Sequence, residues 1–276
     1  MVVPHIVVYP LLSDTLPPAT TTNATFIGDH TYIVIDPATS HRSEQERFDQ
    51  IVQERSAKNQ RLLAVVLTHH HPDHVADAVR VAQKFDVPIW AHAETAKRVP
   101  FRVNRFLKDE ENFILEGNPQ ISLQAIFTPG HAPGHLCFYE PTSKTLVAGD
   151  MVASFGTILI DPRDGHLATY MASLNRLLKL DLGVVIPAHG KPMEDGRAKI
   201  EETLAHRLLR VEQVLQFLPK GHENAAGAEQ IAQSIYAREL PKKLLFLATR
   251  SVLATAIYLC EQGQVKTDKD KALFWR

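Results

Sequence analysis

The chain has 276 residues and a formal net charge of −1; 45% of its residues are hydrophobic and 22% are charged. This composition is typical of a globular protein and excludes a disordered, collagen-like or coiled-coil chain. Arg250 interrupts the nearest approach to a membrane-spanning segment, and the N-terminus lacks the basic region of a signal peptide. Two cysteines, Cys137 and Cys260, cannot form a disulfide framework. We therefore expect a cytoplasmic protein that does not enter a membrane.

The first 195 residues alternate short β-rich runs with helical patterns. Strands are predicted at Ile6–Tyr9, Ala24–Gly28, Tyr32–Asp36, Leu62–Thr68, Val87–Ala91, Ser122–Thr128, Leu136–Tyr139, Thr145–Ala148 and Val184–Pro187. Helices are predicted at Ser43–Ser56, Asp73–Phe85 and Leu167–Leu180, the first of them opened by Ser43 and Glu46 as a capping box. This alternation predicts an α/β layered domain over residues 1–195.

The pattern changes after residue 195. Apolar residues from Ile200 to Leu218 recur at helical spacing and predict a long amphipathic helix. Two more helices are predicted at Ala225–Ala237 and Pro241–Cys260, and Gln264–Trp275 has the pattern of a strand, a charged turn and a second strand. Three helices followed by a hairpin predict a winged-helix-like α module over residues 196–276.

The densest cluster of histidines is Thr68-His69-His70-His71-Pro72-Asp73-His74, directly after a predicted strand. His69 and His71 are two residues apart, so in an extended loop their rings point to one side. Asp73 and His74 follow at the turn into a helix and can face a second centre. Imidazoles and carboxylates at this density are typical ligands of zinc and other borderline metals. The alternative is a solvated histidine-rich loop.

Three later fragments end predicted strands on a histidine or an aspartate. His131 and His135 lie on a Gly/Pro turn, Asp150 follows Gly149, and His189 follows Ala188. Each fragment alone is more often a turn or a cap than a metal ligand. Because all of them follow β-rich runs, they can share one rim of a layered domain, and we expect a single site there.

The series His69-x-His71-x-Asp73-His74, His131, Asp150 and His189 resembles the metallo-β-lactamase superfamily, an αβ/βα sandwich of hydrolases, over roughly residues 1–195. The resemblance implies two metal sites that share one carboxylate: His69, His71 and His131 at the first, Asp73, His74 and His189 at the second, and Asp150 between them. It implies two Zn²⁺ per chain, with Fe or Mn as alternatives, and a metal-bridging hydroxide as nucleophile, since bound water loses its proton near pH ~7. Asp73 would also be catalytic, by orienting this hydroxide and taking its proton.

Most of the chain also resembles the β-lactamase-like proteins with a C-terminal winged helix, whose animal member is a mitochondrial endoribonuclease of single-stranded RNA. The shared fragments are Thr22–Thr25, Gly156–Ile158, Tyr170–Leu174 and His206–Arg207. Asp150 stands where β-lactamases proper usually have cysteine. The large helical insertion of other nucleases is absent, because only 38 residues separate Asp150 from the last histidine.

Three further residues are candidates for supporting the ligands or contacting the substrate. His135 is the second histidine of its turn, and His166 replaces an acidic residue that is frequent in the family. Tyr170 is a candidate for substrate contact, although its helical spacing favours a packed core tyrosine. We expect His70 to point away from the centre and to be structural.

The predicted function is a dinuclear metal-dependent hydrolase with two substrate classes open. One is a small-molecule ester, thioester or lactone; the other is the phosphodiester of single-stranded RNA. The segment Thr128–His135 also resembles hydroxyacylglutathione hydrolase, which favours a thioester, whereas the whole-chain resemblance favours RNA. Two alternatives are a mononuclear-iron persulfide dioxygenase on the same fold and a non-catalytic nucleic-acid-binding regulator.

The C-terminal region is weakly basic, with 13 Lys and Arg against 9 Asp and Glu over residues 197–276. Residues that could contact nucleic acid are Lys242, Lys243, Arg250, Lys266, Lys269 and Lys271. Strong phosphate binders carry denser basic surfaces. We therefore expect this module to cap the active site or to form a homodimer surface, and we expect His206 and Arg207 to bridge the two domains.

Overall fold

The computed structural model describes residues 5–236, 240–268, 270 and 272–276. The strands are β1 Ile6–Leu12, β2 Thr21–Gly28, β3 Thr31–Ile35, β4 Arg61–Val66, β5 Ile89–His92, β6 Arg105–Leu107, β7 Asn112–Leu115, β8 Ile121–Phe127, β9 Leu136–Glu140, β10 Thr145–Gly149, β11 Val185–Pro187, β12 Ala226–Gly227, β13 Lys266–Asp268 and β14 Leu273–Trp275. The helices are α1 Arg42–Ala57, α2 Pro72–Val75, α3 Ala78–Lys84, α4 Ala93–Ala96, α5 Leu167–Leu177, α6 Gly196–Phe217, α7 Ala228–Tyr236 and α8 Leu245–Glu261, with 3-10 turns at His222–Asn224 and Lys242–Leu244.

Two sheets pack face to face. One has the order β1-β2-β3-β4-β5-β6 and the other the order β11-β10-β9-β8-β7. Apolar side chains of both sheets, such as Ile33, Leu123 and Phe138, are fully buried between them. Helices α1 and α3 cover the outer face of the first sheet, and α5 covers the outer face of the second. The predicted α/β class is therefore confirmed, in the form of an αβ/βα sandwich.

Strand β4 places the first histidine motif. Strand β4 is an inner strand, paired in parallel with β3 and with β5, and its residues Ala64–Val66 are buried because its two faces pack into the two cores on either side of the sheet. The chain leaves this buried strand at Leu67 and turns, so His69 emerges where β3 also ends. Strands β10 and β11 pair in parallel, and their carboxyl ends bring Asp150 and His189 to one edge.

Two local predictions on the helices are wrong. Helix α1 begins at Arg42 and has His41 at its N-cap without a side-chain hydrogen bond, so Ser43 lies inside the helix and forms no capping box. The helix expected over Asp73–Phe85 is two short helices that separate before Asp77. There the Asp77 amide donates to the carbonyl of Pro37, which redirects the backbone and starts a second helix.

Helices α6–α8 and the small sheet β12-β14-β13 follow the predicted order of helices and hairpin, with β12 added. Val214, Val252 and Phe274 belong to a core of this module, whereas Ile200 at the start of α6 packs into the core beneath α5. Helix α6 therefore takes part in both cores. The boundary at residues 195 and 196 and the winged-helix interpretation stay predictions. Lys269, Lys271 and the predicted helix end at Ala237 lie outside the described residues.

One segment of the described residues, Lys242–Glu261, is long and apolar enough to cross a membrane by length and composition alone. A core helix passes the same test. Four of its side chains, Ala248, Val252, Ala256 and Leu259, are buried in the core of the C-terminal module. The segment is therefore weak evidence for a membrane span.

Candidate metal centre

The structure brings all seven predicted ligand residues to one edge of the sandwich. Their donor atoms form three overlapping groups in which all atoms lie within 4.8 Å of one another: His69, His71 and His131; His69, His74 and Asp150; and Asp73, His74 and His189. The residues come from four segments that are far apart in sequence: the stretch from the end of β4 into α2, the turn before β9, and the ends of β10 and β11. The sequence had predicted this gathering from strand ends alone.

Three ring nitrogens of the first group face each other at short distance. Nδ1 of His71 lies 2.9 Å from Nε2 of His69 and 2.9 Å from Nε2 of His131. The two Nε2 atoms are 3.2 Å apart. Three nitrogens this close repel one another unless hydrogens or a cation lie among them.

The remaining ring nitrogens of this group are bound to oxygen acceptors. Nε2 of His71 donates to Asp164 at 2.8 Å, and Nδ1 of His131 donates to the carbonyl of Leu159 at 2.9 Å. Nδ1 of His69 donates to the hydroxyl of Thr68 at 3.0 Å, and that hydroxyl donates to a carboxylate. Each neutral ring therefore carries its hydrogen on the outward nitrogen and presents a lone pair inward, which is the tautomer that binds a metal.

The second group is built in the same way. Nδ1 of His74 donates to Asp36 at 2.8 Å, and Nδ1 of His189 donates to the carbonyl of Thr21 at 2.9 Å. Their Nε2 atoms point to one oxygen of Asp150, at 3.6 and 3.4 Å. The other oxygen of Asp150 lies 3.3 Å from Nε2 of His131 in the first group. Asp150 thus stands between the two groups.

Two buried polar atoms at the centre indicate which kind of ligand the site would hold. Nε2 of His74 and Oδ1 of Asp150 are buried and have no hydrogen-bond partner among the described residues. Buried polar atoms without partners are costly, and most have a partner in native proteins. Two divalent cations would satisfy both atoms and also the converging nitrogens, so the donor set fits a dinuclear metal centre.

The electrostatics of the centre agree with this fit. Burial, with the neighbouring imidazoles, lowers the pKa of His69 well below its usual range, and burial lowers the pKa of His131 to about 4. Burial also lowers the pKa of His74, but nearby carboxylates, Asp150 foremost, outweigh it and raise that pKa well above its usual range. Burial raises the pKa of Asp150, yet the surrounding histidines hold it well below its usual range. At neutral pH, His69 and His131 are therefore neutral and Asp150 is ionised.

The comparisons with known proteins agree with the fold and the site. The sequence pattern of the metallo-beta-lactamase superfamily matches residues 17–189. This chain belongs to that superfamily. The lactamase-like protein adaB of Aspergillus niger is 30% identical over 79% of this chain, and the chain spans 66% of the length of that relative. The match confirms the superfamily that the histidine motifs had indicated.

Two further relatives extend the likeness to the C-terminal module of this superfamily member. The atrochrysone carboxyl ACP thioesterase AgnL7 of Paecilomyces divaricatus is 31% identical over 87% of this chain and 77% of its own length. A beta-lactamase domain protein from Burkholderia ambifaria superposes with a TM-score of 0.84 at 22% identity, covering 100% of this chain and 92% of the other. The second likeness shows that the whole chain, including its C-terminal helices, follows a known fold.

In this superfamily member, His135 supports the backbone beside the centre and is not among the donor groups. Its Nε2 accepts from the amide of Asp150 at 3.0 Å, and its Nδ1 donates to Thr128 at 2.9 Å. Both nitrogens are thereby used. Gly149 has φ +51, and a Cβ there would lie 2.5 Å from Nε2 of His135, so only glycine lets this ring approach the backbone.

Two other candidate residues lie away from the centre. Tyr170 is fully buried, and its hydroxyl donates to the carbonyl of Met151 at 2.6 Å, so it packs beneath the loop that carries Asp150 and exposes no surface to a ligand. His166 accepts from the amide of Thr169 as the N-cap of α5 and lies 2.9 Å from Glu261 of α8. It joins the two parts of the chain instead of lining the site.

His70 is not among the donor groups of the seven ligands. Its Nε2 lies 3.1 Å from Asp164, the carboxylate that accepts from the outward nitrogen of His71. Of the bridging pair on α6, Arg207 does contact the sandwich, through a hydrogen bond to the carbonyl of Ile158. His206 instead accepts from Arg210 on its own helix at 3.3 Å.

Asp36 and Asp164 are the functional residues that sequence reasoning missed. Asp36 follows β3 and accepts from the amide and hydroxyl of Thr68 as well as from His74. Its position at the end of a strand could have identified it, because the other aspartates and histidines at strand ends were predicted to belong to the site on that ground. Asp164 lies in an irregular segment 93 residues from His71, and no local pattern connects the two.

A cavity of about 840 Å³ opens beside the centre, between the sandwich and the C-terminal module. Asp73, Asp150, His131 and His189 lie in its wall at one end. Helices α6 and α8 contribute the opposite wall. The C-terminal module was predicted to cap the site, and its helices α6 and α8 do line the cavity beside the centre.

Proposed function

We propose that this chain is a dinuclear metal-dependent hydrolase that cleaves thioesters. The observation that carries the proposal is the inward convergence of five imidazole nitrogens on one centre, three of them within 3.6 Å of Asp150, with the outward nitrogen of every ring bound to an oxygen. Such tautomer control by outer hydrogen bonds is a general feature of metal-ligating histidines. Two divalent cations, when bound, would lower the pKa of a water and polarise the acyl carbonyl.

In this proposal the first site is held by His69, His71 and His131, the second by Asp73, His74 and His189, with Asp150 shared. Asp73 also faces the cavity, with its Oδ2 3.6 Å from Nε2 of His189. Its carboxylate is placed to orient the attacking water and to hold the proton that this water gives up. The water oxygen bonds to the acyl carbon, the carbon–sulfur bond breaks, and the departing thiolate takes the proton.

The shape and lining of the cavity support a thioester over RNA. Much of the wall is apolar, with Phe155, Ile158, Leu244 and Leu247 among its residues. Apolar walls with few polar groups suit a small organic ligand, whereas single-stranded nucleic acid requires a basic groove. Arg250, one of the cations proposed to contact nucleic acid, is instead paired with Asp161 at 2.5 Å. The thioesterase named among the relatives points in the same direction.

Zinc is the proposed metal, with iron and manganese as alternatives, since histidine and carboxylate ligands suit all three. The second donor group argues against a mononuclear-iron dioxygenase, which needs only one metal. It also argues against a non-catalytic regulator, because clustered histidines and carboxylates are costly without a metal. Cleavage of single-stranded RNA, a homodimer and a cytoplasmic location stay predictions.

The test is hydrolysis of an acyl thioester of N-acetylcysteamine by protein loaded with Zn²⁺ or Mn²⁺, with metal content measured. We expect the wild type to release free thiol and Asp73→Ala to have lost this activity. The control Asp109→Ala, which changes an exposed acid elsewhere on the sandwich, is expected to retain activity. Labelled single-stranded RNA is offered to the same preparations. Cleavage of RNA without thioester hydrolysis would overturn the thioester proposal and leave the hydrolase class intact.

A further inference from the structure

The wall that α6 contributes to the cavity carries two guanidinium groups that lack a carboxylate partner among the described residues. These are Arg207 and Arg210, one helical turn apart. Buried or half-buried cations are normally paired, because removing a charge from water is costly. Because both groups lie in the wall of a cavity, an anionic group of a bound ligand could pair with them.

Arg207 is the more buried of the two. Only 6% of the residue is exposed, its guanidinium lies 5.2 Å from the centre of the Tyr170 ring, and one nitrogen donates to the carbonyl of Ile158. Its Nε is buried without a hydrogen-bond partner among the residues described. Among the described residues its guanidinium therefore contacts a carbonyl and a ring, and neither of these is a counter-ion for the positive charge.

Arg210 lies on the same side of α6. Its Nε donates to His206 and one terminal nitrogen donates to the amide oxygen of Gln213, both neutral groups. The ring of Tyr236 lies 5.3 Å from its guanidinium. The contrast with Arg250 is clear, because Arg250 reaches Asp161 across the same cavity and is neutralised there.

Apolar side chains line much of the cavity that the two guanidinium groups share. Leu240, Leu244, Ala248 and Val252 line the cavity from the C-terminal module. A ligand that fills this region must therefore be mostly apolar and must carry a negative charge. A planar carboxylate matches the fork of a guanidinium and accepts two N–H bonds from it.

We propose that Arg207 and Arg210 form a subsite for a carboxylate carried on an apolar acyl group. This inference rests on the proposed thioester hydrolysis. The thioester then lies toward Asp73 and Asp150, with the carboxylated end of the acyl group against α6. The thiol part of the substrate has amides and hydroxyls that these apolar walls cannot satisfy, so it extends toward the solvent.

The test compares two N-acetylcysteamine thioesters of equal length, one of decanoic acid and one of sebacic acid with its distal carboxylate free. We expect the wild type to have the higher kcat/KM on the sebacic thioester. Loss of a hydrogen bond to a charged group costs about 1.5–3 kcal/mol, so Arg210→Gln is expected to reduce the ratio of the two kcat/KM values by about 10- to 150-fold.

Arg207 needs a conservative comparison because its hydrogen bond also holds the segment beside Leu159. Arg207→Lys keeps the charge and is expected to retain part of the preference, whereas Arg207→Met removes it. Lys220→Gln removes an exposed cation of the same module that is not part of the cavity, and it is expected to leave the ratio unchanged. Metal content and the melting temperature are measured for every variant.

Binding gives a readout that does not depend on turnover. We expect calorimetry to detect sebacate binding to the wild type and about 10-fold or greater weakening in Arg210→Gln. Hydrolysis of both thioesters with equal kcat/KM, or an unchanged ratio in Arg210→Gln, would overturn the subsite while leaving the hydrolase intact. Sebacate binding without hydrolysis of either thioester would instead count against the proposed function.

The decanoyl thioester of coenzyme A separates the acyl carboxylate from a phosphate on the carrier. If Arg210→Gln lowered kcat/KM on the coenzyme A substrate alone, the guanidinium groups would bind carrier phosphate and the proposal would be wrong. We expect Arg210→Gln to change kcat/KM equally for the decanoyl thioesters of coenzyme A and of N-acetylcysteamine, because neither substrate has a carboxylate on its acyl end.

Discussion

Asp164 provides a direct test of how distant carboxylates control the proposed first metal site. Its Oδ2 accepts from Nε2 of His71 at 2.8 Å, and 24% of its side chain is exposed. Although partial burial raises the pKa of Asp164, hydrogen bonds from His70 and His71 hold it well below its usual range. The carboxylate is therefore ionised at neutral pH and fixes the tautomer that turns Nδ1 of His71 inward.

Replacing this carboxylate weakens the ligand without removing it. An outer partner of a metal-binding histidine changes metal affinity by about 10- to 100-fold, which corresponds to about 1.4–2.7 kcal/mol. We expect Asp164→Asn to lie near the lower value, because the amide oxygen still accepts from His71. We expect Asp164→Ala to lie near the upper value, because the ring loses its acceptor and both tautomers become accessible.

The assay is competition for Zn²⁺ with a coloured chelator, analysed as two binding steps. Repeating it in a His189→Asn background leaves the first group intact and assigns the weakened step. Arg98→Gln serves as control, since Arg98 approaches the other oxygen of Asp164 at 3.9 Å and has no hydrogen bond to His71. Unchanged affinity in Asp164→Ala, or a loss confined to the second group, would refute the reasoning.

Three further predictions concern the same edge of the sandwich. Gly149→Ala places a Cβ on a residue with φ +51 and 2.5 Å from Nε2 of His135, so we expect the free energy of unfolding to fall by about 1–3 kcal/mol. A melting temperature equal to that of the wild type would contradict this expectation. In metal-free protein the pKa of His131 is lowered from 6.5 to about 4, so the unfolded chain binds more protons between these values. The free energy of unfolding should then fall by about 3 kcal/mol as the pH drops from 6.5 to 4, which urea titrations measure. The lowered pKa of His131 would be contradicted if the wild type showed no such fall, or if His131→Asn showed an equal one. Removing the metals with a chelator should abolish thioester hydrolysis and lower the melting temperature, both restored by Zn²⁺, and activity that survives with no metal detected would contradict the dinuclear proposal.

Secondary structure was predictable where burial and local pattern agree. The apolar run over Leu62–Thr68 is a strand because both of its faces are covered, and its β-branched residues suit that environment. Strands β6 and β7 were missed because Arg105–Leu107 and Asn112–Leu115 are only three and four residues long. Their pairing with β5 and β8, not their own propensity, makes them strands.

The sequence by itself determined the ligand types, their order and their place at strand ends, because these depend on residues that are close in the chain. The superfamily followed from them. Only the tertiary structure decided which nitrogen of each ring faces inward, since Asp36, Asp164 and the carbonyls of Thr21 and Leu159 reach the histidines from distant segments. It also decided that α6 brings Arg207 and Arg210, which lack a carboxylate partner among the described residues, to the wall of the cavity beside the proposed metals. Hydrogen-bond direction and burial depend on pairings across the fold, and no local pattern encodes them.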